Sequence, residues 1–274
     1  MEFYDKIIEA RDFIRKNTDF VPKIGMILGS GLGDIADDIE KVKEFQYSDI
    51  PHFPVSTVSG HAGKLVFGKL EGKDVVALKG RIHYYEGYTM KEVTFPVYLM
   101  KLLGVEQLIV TNASGGVNSA FKPGDLMLMD DHINLMGDNP LRGKNDERLG
   151  VRFPDMSNVY NKDLKEMLLS TANELGISIH RGVYTAVAGP NYETAAEVRY
   201  MGKIGGDVIG MSSAPEVIAA AHLNLKVLGI SCITDVIFAS TGEVHEVSHE
   251  EVLEVAAQAK PKFIKLVKAA VKKM

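Results

Sequence analysis

The sequence predicts an α/β fold, a mixed twisted sheet flanked by helices. Short apolar runs recur along the chain, such as 24–28 and 105–111, and they alternate with longer segments of helical period. Glu71-Gly72-Lys73 separates two strand-like runs, a hairpin signal, whereas other runs are joined by helix-length crossovers. Hairpins and crossovers together imply a mixed rather than a purely parallel sheet. No Pro/Gly/Ser-rich linker, composition break or internal repeat divides the 274 residues, so 1–274 reads as a single domain with a sizeable core.

Residues 3–16 place Phe3, Ile7, Ile8, Phe13 and Ile14 at helical spacing. The 24–28 strand feeds Gly29-Ser30-Gly31-Leu32-Gly33. Residues 64–70 and 74–78 flank the hairpin turn. A helix follows over 91–103, then the strand over 105–111. Further strands are expected near 125–130, 180–188, 207–211 and 225–233, and further helices near 161–175, 194–203, 214–223 and 249–272. Residues 137–158 are polar and aperiodic, the mark of a functional loop. Phe153 within that loop needs an apolar destination.

Composition narrows the function. The chain is 46% hydrophobic and 24% charged, an ordinary globular balance. A net charge of −5 argues against a nucleic-acid partner. The one cysteine, Cys232, excludes an intrachain disulfide framework. No apolar stretch reaches membrane-spanning length and no secretory segment opens the chain, so the expected address is the cytoplasm. The Lys-rich run from 260 to 274 reads as a solvated helix face.

Gly80-Arg81-Ile82-His83-Tyr84-Tyr85-Glu86-Gly87 follows a predicted strand. Residues two apart in extended chain share a side, so Arg81 and His83 should converge beyond the strand end on an oxyanion such as phosphate. The Gly29–Gly33 turn lacks the last glycine of a dinucleotide fingerprint, since Asp34 stands there, but its amides and Ser30 suit an anion. Thr111-Asn112-Ala113-Ser114-Gly115-Gly116 again puts small residues at a predicted strand end. After another strand, Tyr192 offers a ring face and Glu193 an acceptor. Gly210-Met211-Ser212-Ser213 supplies an apolar Met and two hydroxyls. His245-Glu246-Val247-Ser248-His249 spells the zinc-protease pattern, but Ser248 and Glu251 form a capping box that starts the helix at Ser248. His245 then lies before the helix, and no metal is expected.

Taken together, these motifs resemble the trimeric purine nucleoside phosphorylases. The likeness also rests on Gly-His-Ala-Gly (60–63), Asn-Pro-Leu-Arg-Gly (139–143), Arg-Phe-Pro-Asp-Met-Ser (152–157) and Ser-His-Glu-Glu-Val-Leu (248–253). It implies a partly barrel-like sheet, a homotrimer, and reversible phosphorolysis of a purine nucleoside to free base and pentose 1-phosphate. Phosphate is the co-substrate and no cofactor is implied. Residue by residue, phosphate falls to Ser30, His61, Arg81, His83, the Ala113 backbone and Ser212. Ribose falls to Tyr85, Met211 and His249, with Phe153 reaching in from a neighbouring subunit. The purine falls to Tyr192, Glu193 and Asp235. Asp235, His83 and Glu193 are the catalytic candidates. Gly242, within 239–247, would allow a loop to close over the site.

One residue departs from the pattern. Members restricted to 6-oxopurines usually carry Asn where Asp235 stands. An ionised Asp cannot donate to O6 but accepts from a 6-amino group. Glu193 beside it should raise a carboxyl pKa, and a protonated Asp235 can donate to O6 or N7. Guanosine and inosine are therefore expected substrates, with adenosine as an extension. The alternatives are a methylthioadenosine phosphorylase, against which the polar His249 argues, and a non-catalytic nucleoside-binding protein. The latter should have lost part of the set Arg81, His83, Glu193 and His249.

Overall fold

Side-chain alternation sorts the central strands between two cores. In β1 (Ile24–Leu28), Ile24, Met26 and Leu28 join one buried cluster and Ile27 the other. In β4 (Lys73–Lys79), Val75 and Ala77 face the first cluster, Val76 and Leu78 the second. The computed structural model describes residues 1–58, 61–236 and 248–274. The 239–247 loop with Gly242, together with His245 and Glu246, lies outside the described residues.

Around these strands the chain runs α1 (Phe3–Asn17), β2 (Glu40–Gln46), β3 (Lys64–Leu70), α2 (Met90–Leu103), β5 (Gln107–Gly116) and β6 (Leu126–Asn134). It continues through α3 (Lys162–Leu175), β7 (His180–Ala186), α4 (Ala195–Lys203), β8 (Val208–Gly210), α5 (Ala214–His222), β9 (Lys226–Val236) and α6 (His249–Lys273). Helices α1, α2 and α5 pack on one core, α3 and α6 on the other, as in a layered α/β fold. The 137–158 segment has no helix or strand, as expected.

The sheet is mixed, with order β2-β3-β4-β1-β5-β8-β7-β6-β9. The β3–β4 hairpin turns on Glu71 and Gly72, both with positive φ, the twist that a two-residue turn favours. β9 also pairs in parallel with β5 from Gln107 to Gly116. That pairing closes β5, β8, β7, β6 and β9 into a ring, the partly barrel-like sheet that the resemblance implied.

One strand expectation is corrected, and one strand was not anticipated. β5 runs to Gly116, not to residue 111, so the Thr-Asn-Ala-Ser-Gly-Gly motif lies inside a strand rather than after one. Its ladder to β9 continues through the motif, which periodicity alone does not reveal. β2 has no sequence signal because only Phe45 of its seven residues is buried. The Lys-rich face of α6 is exposed or half-buried, and three of its cations pair within the chain: Lys260 with Asp34, Lys268 with Asp38 and Lys273 with Glu174. Cys232 is a buried free thiol.

Candidate active site

β1 and β8 share one side of β5. β1 pairs with Gln107–Val110 and β8 with Gly115–Gly116, so residues 111–114 carry no strand on that side. Open α/β sheets bind ligands where strands part in this way. The Gly29 turn enters the gap: its amide donates to Thr111 Oγ1 at 3.1 Å, and Thr111 Oγ1 donates to Ile27 O at 3.1 Å. A Cβ on residue 29 would stand 2.8 Å from Asn112 Cα and Thr111 O, so only glycine fits. Ala113 lies in the same open stretch.

Beside the gap, Ser30 Oγ lies 3.3 Å from His61 Nε2, and His61 Nδ1 donates to Arg81 O at 2.8 Å. The His61 ring stacks on His83 at 5.3 Å, and His83 stacks on Tyr85 at 4.7 Å. Burial, with repulsion from His83, lowers the His61 pKa to about 4. Burial also lowers that of His83. Both imidazoles are therefore neutral near pH 7. Burial raises the Tyr85 phenol to about 12, so it keeps its proton.

Glu86 organises this stack, and the sequence reading gave it no role. It accepts from the amides of His83 (2.7 Å) and Thr57 (2.5 Å) and from Thr57 Oγ1 (2.7 Å). Its Oε1 is 3.4 Å from His83 Nδ1, without hydrogen-bond geometry. Burial opposes its charge, but the bonds from His83 and Thr57 outweigh it and hold the pKa near 2. The available signal was spacing, a carboxylate three residues after His83.

Arg81 and His83 lie past the strand end, where the sequence placed them. β4 ends at Lys79, and both residues sit on the irregular segment beyond it. Arg81 is 1% exposed. Its Nε and Nη2 donate to Glu216 at 2.8 and 2.9 Å, and its Nη1 donates to Thr111 O at 2.6 Å. Three of its five N–H groups are thereby used, and two remain for a ligand. Ser212, also buried, is held by Tyr184: its amide donates to the phenol oxygen at 3.2 Å.

Gly189 separates this end from the other. It has φ 66°, and a side chain there would press on Met211 and Tyr85, so these two form one wall. Beyond them lie Tyr192, 44% exposed, and Glu193. Burial raises the Glu193 carboxyl pKa, and Asp235 adds to the rise. Thr234 Oγ1 donates to Asp235 Oδ1 at 3.0 Å. Asp235 stands opposite Gly115 in the β5–β9 ladder, so β5 runs from the basic end toward the acidic one.

Two candidates stand apart. Phe153 is 86% exposed, on the rim of a cleft of about 700 Å³ with Arg142, Arg152, Met156 and Ile218. His249 opens α6 behind the Ser248–Glu251 capping box, but its side chain lies outside the described residues.

A buried arginine with neutral imidazoles and hydroxyls at one end, and paired carboxylates with an aromatic face at the other, describes a site for an oxyanion beside a hydrogen-bonding heterocycle. Residues 23–272 match the family model described as Phosphorylase superfamily. The chain is 57% identical to purine nucleoside phosphorylase 1 of Bacillus subtilis, over 97% of this chain and 98% of that one. It is 45% identical to the Bos taurus purine nucleoside phosphorylase over 98% and 96%. The Schistosoma mansoni purine nucleoside phosphorylase in complex with adenosine superimposes with a TM-score of 0.93 at 40% identity, over 98% of this chain and 97% of that one. The chain thus belongs to the phosphorylase superfamily and, within it, to the purine nucleoside phosphorylases.

Proposed function

We propose that this enzyme catalyses the reversible phosphorolysis of purine ribo- and 2′-deoxyribonucleosides, yielding free purine and pentose 1-phosphate for purine salvage. One observation carries the reading. Contacts run from Ser30 and His61 through His83 to Tyr85, Gly189 and Met211, and beyond Gly189 stand Tyr192, Glu193 and Asp235, close enough to act on one another electrostatically. This order suits phosphate, pentose and purine in turn.

Breaking the C1′–N9 bond sends its electron pair to the base and leaves positive charge on the sugar. Phosphate, directed by Arg81, Ser30, His83, Ser212 and the Ala113 amide, stabilises that charge and bonds to C1′. His61 serves the same subsite as a neutral partner. Tyr85 and Met211 exclude competing water, with His249 assigned to the 5′-hydroxyl. Glu193 suits N1–H and the 2-amino group of guanine. Asp235, when protonated, donates to N7 or O6 and eases departure of the base. Guanosine and inosine are the preferred substrates, with adenosine an extension. A complex with guanosine is known for the Schistosoma enzyme, as is the adenosine complex.

The exposed Phe153 supports a homotrimer in which this ring completes a neighbour's sugar site. Sedimentation equilibrium should give three chains per particle, and a monomer would end that reading. No helix among the described residues is long and apolar enough to cross a membrane, in keeping with a cytoplasmic address.

The test is base release from inosine, guanosine, adenosine and methylthioadenosine, each with and without phosphate. Phosphate-dependent release from inosine and guanosine is expected. Release without phosphate would make the protein a hydrolase. Activity confined to methylthioadenosine would move it to the methylthio branch, and no release at all would leave a binding protein.

A further inference from the structure

Four helices open on the same spelling, Ser/Thr-x-x-Glu: Thr89–Glu92, Thr194–Glu197, Ser213–Glu216 and Ser248–Glu251. In α2, α4 and α6 the two side chains close the reciprocal capping bonds this spelling favours. In α5 they do not. Ser213 makes no capping bond and holds φ 60° and ψ −52°, a strained backbone for a residue with a Cβ. Its Oγ accepts from Asn112 Nδ2 at 2.9 Å instead. Glu216 turns both carboxylate oxygens to Arg81. The pair is almost wholly buried, at 1% and 2% exposure. A buried ion pair is a weak source of stability compared with apolar packing. A diverted cap, a strained backbone and a buried carboxylate at one point call for a role in the site.

We propose that Glu216 is the positioning residue of the phosphate subsite. It holds the Arg81 guanidinium side-on, so that the two remaining N–H groups meet phosphate in a fixed orientation. This assignment rests on the phosphorolysis reading. Two parallel bonds fix the plane of a guanidinium where one cannot, and Thr111 O fixes its third nitrogen. Glu216 also balances the Arg81 charge. With His61 and His83 neutral, the subsite then selects phosphate by directed donors rather than by net charge.

The experiment compares phosphate KM, kcat and nucleoside Kd (measured without phosphate) in wild type, Glu216→Gln, Arg81→Met and the double variant. Glu216→Gln keeps the shape but loses one acceptor. Phosphate KM should rise about tenfold or more, with nucleoside Kd unchanged. In the Arg81→Met background, Glu216→Gln should add nothing, since no guanidinium is left to orient. If Glu216→Gln does not fold, Glu216→Asp, which keeps the charge but shortens the reach, should raise phosphate KM in the same way. An unchanged or lower phosphate KM overturns the assignment, as does an equal rise in both backgrounds. Wild-type base release that ignores phosphate would instead overturn the phosphorolysis reading, and this assignment with it.

Discussion

Asp235 is the residue at which substrate choice should be decided. It shares a partly buried corner with Glu193, whose carboxyl is pushed up by burial and by Asp235. Replacing it with Asn supplies a permanent donor for O6 and leaves a single neutral acceptor oxygen where a carboxylate could accept from a 6-amino group. Asp235→Asn should therefore raise the inosine-to-adenosine ratio of kcat/KM by about tenfold or more. Unchanged ratios would sink this view of the departure. Of the candidate site, Ser30, Arg81, His83, Tyr192, Glu193 and Ser212 stand out after predicted strands, whereas the roles of His61, Tyr85, Asp235 and His249 come from the resemblance alone. Glu86 and Glu216 were not legible. Each acts on another side chain, and the partner of Glu216 lies 135 positions away. Phe153 was legible as an anomaly, an aromatic without an apolar home in its own chain.

The elements carry the site by ending or parting in the right places. α4 begins directly after Glu193, with the Thr194 side chain accepting from the Glu197 amide and Glu197 answering at the Thr194 amide. Thr194→Ala should cost about 1 kcal/mol of stability. It should also raise the nucleoside KM, because the loop holding Tyr192 and Glu193 is tied to that cap. Thermal unfolding and steady-state kinetics check the two parts separately, and an unchanged KM would detach the cap from the base end. Helices were readable because capping spellings and apolar spacing agree. The long reach of β5 and the existence of β2 were not. One is set by partners on β9 and β8, the other by pairing with β3 alone.

For the whole molecule, the buried titratable groups set an acid limit. His61 has a pKa of about 4 in the fold against an ordinary 6.5, so between these values the unfolded chain binds the proton and the native one does not. Stability therefore rises with pH across that window. Glu86, near 2 in the fold against 4.5, acts in the same sense: its contribution is present above 4.5 and is lost as pH falls toward 2. The unfolding temperature should fall as pH drops from about 6.5 to 4 with His61, and go on falling from about 4.5 toward 2 with Glu86. A flat profile from pH 7 to 4 would contradict the burial of His61. Ring closure between β5 and β9 has a different consequence. With β9 returned to β5, β2 is the terminal strand of the sheet among the described residues, a margin open to foreign chains. Glu40, Lys41, Lys43 and Glu44 stud that margin, and its register shifts between Lys41 and Lys43. Charge and irregularity of this kind deter intermolecular strand addition, so the architecture that seats the nucleoside also limits the ways this chain can aggregate.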